Sequence, residues 1–424
     1  MKNISLPAIS IFTLSMQSQT RKPQTGPLQG IRILDLTRLL PGPLGTMLMA
    51  DMGAEVIKIE DPNAPDYVRM FPPFVGGESV NYLAYNRSKR SMLLDYKSEE
   101  GRKIFFELIK TADVVVEQFR PQFLDKLGIG YEATKAVNPK IIYVSVTGYG
   151  QTGPYAHLAG HDLNYISYAG ILGITGSADE APPLLGVQLA DIAGGSYMSV
   201  IATLSALHAR TQTGIGQHVD VSMTDAVMPL LSVSYASYSA TLQAQVRGTL
   251  PLSGGMPNYG VYVCQDKKYI ALGTLEAKFW SKFCDLTHKP DWKMFMVPQN
   301  SEQLQSFKNL IGDLFLEKNQ AEWVQLGFEN DLLISPVYGL EDLENDPHLL
   351  ERQMIIETEH PTAGKLKSIG VPLKFSETEA KPSWAAPLLG EDTEAILREL
   401  SKILFNRMEA NRFTEAFGKN RRLP

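Results

Sequence analysis

A chain of 424 residues, 44% hydrophobic and 20% charged, has the size of two or three domains and the composition of a water-soluble globular protein. Its net charge of −6 speaks against a nucleic-acid partner, which selects a basic field, and no run reaches the ~18 apolar residues of a membrane span. Two cysteines, Cys264 and Cys284, are too few for a disulfide framework or a zinc site built on thiolates, so they read as small core residues of a protein kept in a reducing, cytoplasmic compartment.

Residues 1–26 stand apart as a disordered leader: the apolar stretch from Ile4 to Met16 is interrupted by Pro7, no small-x-small cleavage site follows it, and Met16 would serve as a start. Ile31 to Leu36 predicts a β-branched strand, Pro41-Gly42-Pro43 a turn, and Leu44 to Met52 an apolar helix stopped by Gly53. Ala54 to Ile59 predicts the next strand. Ser98 to Thr111 has helical spacing, with Ile104, Phe105, Leu108 and Ile109 on one stripe, and Ala112 to Val116 and Ile141 to Val146 follow as buried strands. Leu184 to Ala190 predicts an apolar strand ended by Asp191, Gly194 to Arg210 a helix of small residues, Gln217 to Ser222 a strand and Thr224 to Leu231 a helix. Strands alternating with helices at this spacing predict an α/β fold, a mostly parallel sheet covered on both faces.

Composition then shifts. Ser232 to Gln245 is rich in Ser, Ala and Tyr, and Gly254-Gly255-Met256-Pro257 breaks the pattern. The chain therefore divides into a large domain over 27–231, a linker over 232–255, a smaller domain over 256–350 with a hairpin turn at Lys267-Lys268, and a return segment over 351–424. In that last segment Leu373 to Phe375 predicts a short strand and Asp392 to Leu404 a helix, both completing the large domain.

Gly148-Tyr-Gly150-Gln-Thr-Gly153 spells a dinucleotide-binding G-x-G-x-x-G, but Pro154 follows at once and no helix opens to aim N–H groups at a pyrophosphate. It reads better as a glycine-rich turn beside an active site. Gly160-His161-Asp162-Leu163-Asn164-Tyr165 and Asp191 carry more chemistry. Alone, His161 fits a structural histidine and Asp191 a helix cap. Together, at the edge of an α/β sheet, they are an acid/base or nucleophile set. The Gly194-Gly195 pair would let a ligand approach the backbone, and the free N–H groups of that helix would stabilise an oxyanion, each such donor lowering a barrier by ~3–4 kcal/mol.

These residues, with Leu28 to Asp35, Asp51 to Lys58, Asn86 to Arg90, Phe119-Arg120-Pro121 and Asp346-Pro-His348, resemble the type III coenzyme-A transferase (CaiB/BaiF) family, which also holds the α-methylacyl-CoA racemases. The resemblance implies a Rossmann-like large domain with a parallel sheet, a smaller α+β domain, and two chains interlocked as a homodimer. Coenzyme A would arrive only as the acyl-CoA substrate, with no other cofactor and no metal. The resemblance also makes Asp191 the key carboxylate: a nucleophile in the transferases, and in the racemases an acid/base facing a histidine. The block around His161 and the segment Thr274-Leu-Glu276 look like the racemase branch. That branch implies a two-base exchange of the α-proton of a 2-methylacyl-CoA, with His161 held by Glu276, Asp191 held by Tyr165, and Asp162 beside them. The alternative is transfer of coenzyme A between carboxylic acids through an anhydride on Asp191. Lys58, Arg87, Lys89, Arg90 and Arg120 are the expected cations for the coenzyme-A phosphates, as single charges or forks suit. Asp61 stands where the family often has an arginine for the nucleotide, and the basic stretch from Arg407 to Arg422 matches nothing in the family pattern.

Overall fold

Branched aliphatic runs make the frame. In the computed structural model, which describes residues 24–403, six strands lie parallel in one sheet. They are β1 (Arg32–Leu36), β2 (Glu55–Glu60), β3 (Arg90–Leu93), β4 (Val114–Glu117), β5 (Ile142–Thr147) and β6 (His218–Ser222). Their order across the sheet is β3-β2-β1-β4-β5-β6, so the chain reverses direction of travel between β3 and β4. Neighbouring side chains alternate between two cores: Ile33, Val56, Val114 and Val144 face one layer, and Leu34, Ile57, Val115 and Tyr143 the other. Each fully buried aliphatic side chain contributes ~1.5–3 kcal/mol.

Helix α1 (Pro41–Asp51) fills the first layer with Met49 and Ala50. Pro41 opens this helix rather than a turn: its fixed φ suits the first helical position, where no N–H is needed. Helix α2 (Glu99–Ile109) covers the second layer with Phe105, Leu108 and Ile109, and Ser98 caps it by accepting from Gly101 N–H at 3.0 Å. Residues 393–403 are helical and press Ile396 and Leu400 into that same layer.

Several expectations are corrected. The predicted strand from Leu184 to Ala190 does not form: the chain is irregular to Gln188 and helical from Leu189, with Leu184 74% exposed; Pro182 and Pro183 precede it, and β6 is the last strand on that side of the sheet. Asp191 instead enters at the start of a long helical run. This run is a π-helical segment, Ala190–Tyr197, continuing as α4 (Met198–Thr213). Helix α5 (Met223–Val227) follows β6, and the presumed linker holds a true helix, α6 (Ser232–Thr241). Leu373 to Phe375 forms no strand among the described residues, whereas an unforeseen hairpin forms further upstream.

The smaller sheet has the antiparallel hairpin β7 (Tyr259–Val263) and β8 (Tyr269–Gly273), turned at Lys267 (φ +65°), with β9 (Ile334–Pro336) on the far side of β8. Helices α7 (Ala277–Leu286), α8 (Ser301–Phe315) and α9 (Gln320–Glu329) cover one face, burying Trp280, Phe283, Phe315 and Trp323. The opposite face leaves Val261 61% exposed. The hairpin β10 (Ile355–His360) and β11 (Gly364–Ile369) follows, and Arg87 Nη1 reaches it through the Ile369 carbonyl at 2.6 Å. The presumed leader up to residue 23 and the basic tail beyond 403 lie outside the described residues.

Candidate active site

The carboxyl ends of β1, β4 and β5 open onto a cleft of about 500 Å³, where an α/β sheet offers its ligand crevice. Its floor and walls come from the turn after β1 (Leu39, Pro41), the loop after β4 (Gln118 to Pro121), the loop after β5, helix α3 (Asp162–Tyr168) and the π-helical segment. His161, Tyr165 and Asp191 all line this one cleft. Among the expected cations, Arg120 lines it too and is exposed.

Asp191 is half-buried in the first turn of the π-helical segment. Burial, and after it the negative charge of Asp162, push its carboxyl up to about 7. No hydrogen bond to its carboxyl oxygens offsets that rise among the described residues. Asp162 stands behind it and accepts two backbone hydrogen bonds on Oδ1, from Ala190 N–H at 2.6 Å and Asp191 N–H at 3.0 Å. It therefore caps the segment and fixes the Asp191 backbone. This alters the expected oxyanion site: Ala190 and Asp191 give their N–H groups to Asp162, and Ile192 N–H goes to the Gln188 carbonyl at 2.9 Å.

Tyr165 does not hold Asp191. Its hydroxyl donates to the Gly160 carbonyl at 2.5 Å, closing the loop that carries His161. Gly148 of the glycine-rich turn acquires a steric reason here, since a Cβ on it would lie 2.3 Å from the Tyr165 ring. His161 is exposed, and its N–H donates to Asn164 Oδ1 at 3.0 Å to start α3. Glu276 is also exposed, but it stands at the N-terminal position before α7, beside the smaller sheet, and is not among the cleft residues. Within one chain the structure thus brings His161 to Asp191 and leaves Glu276 apart.

Gly194 and Gly195 are likewise reassigned. A Cβ on Gly194 would sit 2.6 Å from the Met223 carbonyl oxygen, and one on Gly195 2.6 Å from Pro41 Cβ. They let α5 and α1 pack against the segment rather than open it to a ligand.

Four of the five expected phosphate cations have internal partners instead. Lys58 pairs with Asp66 at 3.0 Å, and Lys89 with Asp35 at 3.0 Å, with all four side chains fully buried. Burial pulls Lys89 down to about 8 against the attraction of Asp35. Arg87 grips Asp51 through Nε at 3.0 Å and Nη2 at 2.8 Å, and Arg90 bridges Glu55 (2.7 Å) and Glu399 (2.9 Å). Cations inside a folded core are held by carboxylates because a lone buried charge is too costly. The spacing of basic residues carries no information about depth, which is why the expectation failed for these four. Arg38, not singled out in the sequence, lies over the Phe119 ring at 5.0 Å beside the cleft.

Behind the Phe119 wall, Glu117 Oε2 accepts from Phe119 N–H at 2.7 Å. Burial pushes this carboxyl up to about 7, although hydrogen bonds from Ser145 and Phe119 oppose the rise.

The sequence model of CoA-transferase family III matches residues 28–393. The mouse succinyl-CoA:glutarate CoA-transferase is 35% identical over 383 residues, covering 88% of this chain and 86% of that protein. The human α-methylacyl-CoA racemase is 33% identical over 375 residues, covering 88% and 93%. The crystal structure of a CAIB/BAIF family protein from Brucella suis superposes with a TM-score of 0.78 at 31% identity, covering 89% of this chain and all of that one.

Proposed function

The chain belongs to CoA-transferase family III, and from that premise we propose that it moves coenzyme A between carboxylic acids with Asp191 as the nucleophile. The observation that carries this reading is the Asp191 carboxyl itself: it faces the cleft, its basicity is raised by burial and by Asp162, and no described donor blankets its oxygens. A carboxylate in that condition is a competent nucleophile once ionised. Neither orienting contact of the racemase pair is present within the chain, since Tyr165 bonds Gly160 and Glu276 lies on the other sheet. The similarity to a succinyl-CoA:glutarate transferase supports the same reading.

The steps balance without an added reagent. An Asp191 oxygen bonds the thioester carbonyl carbon, and the C–S bond breaks to release coenzyme-A thiolate and leave a mixed anhydride. The thiolate attacks the aspartyl carbonyl, expelling the donor acid as a carboxylate and leaving an aspartyl thioester. The acceptor carboxylate attacks this thioester, re-forming an anhydride, and the thiolate finally takes the acceptor acyl group and frees Asp191.

A second reading rests on one observation. His161 shares the cleft with Asp191, as an exchange of the α-proton requires, and a racemase is among the relatives. The two are separated by incubating the enzyme with succinyl-CoA, or with one epimer of a 2-methylacyl-CoA, in deuterated water. Transfer predicts that hydroxylamine or borohydride marks Asp191, located by peptide mass, and that Asp191→Asn abolishes the mark. Deuterium at the α-carbon with no mark on Asp191, lost in His161→Ala, decides for the racemase. A second copy of the chain belongs to the proposal as partner, supported by the uncovered apolar face of the smaller sheet.

A further inference from the structure

Attack on a thioester gathers negative charge on the carbonyl oxygen, and one preset donor aimed at that oxygen is worth about 100-fold or more in rate. The expected backbone donors are already committed: the N–H groups of Ala190, Asp191 and Ile192 all end on internal acceptors. A replacement has to come from a side chain that lines the cleft, is open to it and has a donor left. Tyr165 fails, since its hydroxyl goes to the Gly160 carbonyl. Asn164 meets each condition. It lines the cleft and is exposed. Its Oδ1 accepts from His161 N–H at 3.0 Å, and a backbone N–H bonds only the oxygen end of a carboxamide. The direction of Nδ2 is thereby fixed, and Nδ2 meets no acceptor among the described residues.

The turn that carries Asn164 is also tied to Asp191. Asp162, two residues earlier, accepts from Ala190 and Asp191 N–H, which joins the first turn of α3 to the first turn of the π-helical segment. Tyr165, one residue later, is buried and closes on Gly160. A Cβ on Gly160 would lie 2.8 Å from the Tyr149 hydroxyl oxygen and 3.4 Å from Asn164 Cβ, so the loop packs directly on this turn. Asn164 therefore stands on backbone pinned from both sides, as a preorganised donor requires. We infer that Asn164 is a catalytic residue whose Nδ2–H donates to the substrate carbonyl oxygen as charge develops there. When an Asp191 oxygen bonds the thioester carbon, the carbonyl π pair moves onto that oxygen. As the C–S bond breaks, the pair returns and the coenzyme-A thiolate leaves. Asn164 gives a hydrogen bond throughout and transfers no proton. This inference rests on the reading of Asp191 as the nucleophile.

The test is the pH profile of Asp191 labelling in the full chain, with succinyl-CoA or acetyl-CoA and hydroxylamine, read by peptide mass beside urea unfolding. Asn164→Asp keeps an oxygen for His161 N–H and replaces the donor by a carboxylate. Its charge moves the acidic limb to higher pH, so the plateau above that limb isolates the lost donor. The maximal labelling rate on that plateau should fall about 100-fold, with the half-saturating thioester concentration and the unfolding midpoint near their original values. Asn164→Ser also keeps an acceptor, adds no charge and is too short to reach the carbonyl. It should show the same loss, and it keeps the test decisive if Asn164→Asp does not fold. A plateau equal to that of the unaltered protein in either variant overturns the donor. A loss that follows a lowered unfolding midpoint in both variants overturns it too, and leaves Asn164 as a cap of α3. Absence of any mark on the unaltered protein with both thioesters removes the nucleophile reading itself, whatever the variants do.

Discussion

At the scale of single residues, the chemistry of the cleft turns on two carboxylates with unequal duties. Asp162 accepts the backbone N–H groups of Ala190 and Asp191, while burial and the neighbouring Asp162 carboxylate push the Asp191 carboxyl up to about 7. Asp162→Asn retains an acceptor oxygen for the two N–H groups and removes the charge. Burial remains, so the Asp191 carboxyl should fall part of the way back toward an ordinary value. The sign follows directly: activity that needs ionised Asp191 grows as pH rises through its pKa, so the acidic limb of kcat/KM should move to lower pH. A shift of about half a unit to one unit is the expected size for one neighbouring charge. An unchanged limb would show that Asp162 acts only as a cap. Glu117 gives a second case with a stability readout. Its folded pKa, about 7, lies above the usual carboxylate value because it is buried. The protonated form is therefore favoured on folding, and this contribution is complete at acid pH and lost as pH rises through about 7. Glu117→Gln mimics the protonated form, so it should raise the unfolding free energy at pH 8 by a few kcal/mol and leave it nearly unchanged at pH 4.5. Urea unfolding at the two pH values measures the difference, and an equal change at both would sink the argument.

At the scale of elements, what the sequence disclosed depended on whether a local signal and its tertiary partner coincided. Val114 to Val116 and Ile142 to Val146 are rich in β-branched residues and buried on both faces, so the apolar runs alone located β4 and β5. Leu184 to Ala190 is as apolar but pairs with no strand among the described residues; backbone polarity cannot be satisfied by hydrophobicity, and the segment stays irregular until the helix begins at Leu189. The β10–β11 hairpin went unread for the opposite reason. Its strands bury little and place Glu357, Glu359, Lys365 and Lys367 in solvent, and their main signal is the turn before Gly364 at φ +71°. The same logic governs the cleft. His161, Tyr165 and Asp191 were legible because residue type and spacing match a family pattern, and the fold gathers them. Lys58, Arg87, Lys89 and Arg90 were misread because a charge in sequence does not say whether its partner is a ligand or a carboxylate on the next strand. Arg38 was missed since its setting is made by Tyr67 and Phe119, distant in sequence.

At the scale of the whole molecule, the distribution of apolar surface asks for a partner. The smaller sheet buries one face under α7, α8 and α9, while the other presents Val261 at 61% and Val263 at 41% exposure and borders an open groove of about 840 Å³. Val233 on α6 is 83% exposed and Leu242, just beyond it, 78%. A monomer seldom leaves so many large apolar side chains in water, and obligate homodimers bury ~2,000 Å² or more in interfaces rich in such residues. If a second copy covers these faces, sedimentation equilibrium should return twice the chain mass down to nanomolar concentration. Val261→Asp, whose side chain stands outside the chain's own core, should then weaken self-association by more than tenfold, since a desolvated unpaired carboxylate is worth several kcal/mol against the interface. The variant should keep its far-ultraviolet circular dichroism if the chain's core is as described. Activity that falls in parallel with the dimer fraction would tie the cleft to the assembly, the arrangement needed if Glu276 reaches His161 from the second copy. A Val261→Asp protein that remains dimeric would remove this face from the interface. A chain that sediments as a monomer would leave His161 without that glutamate and turn the weight further toward nucleophilic transfer by Asp191.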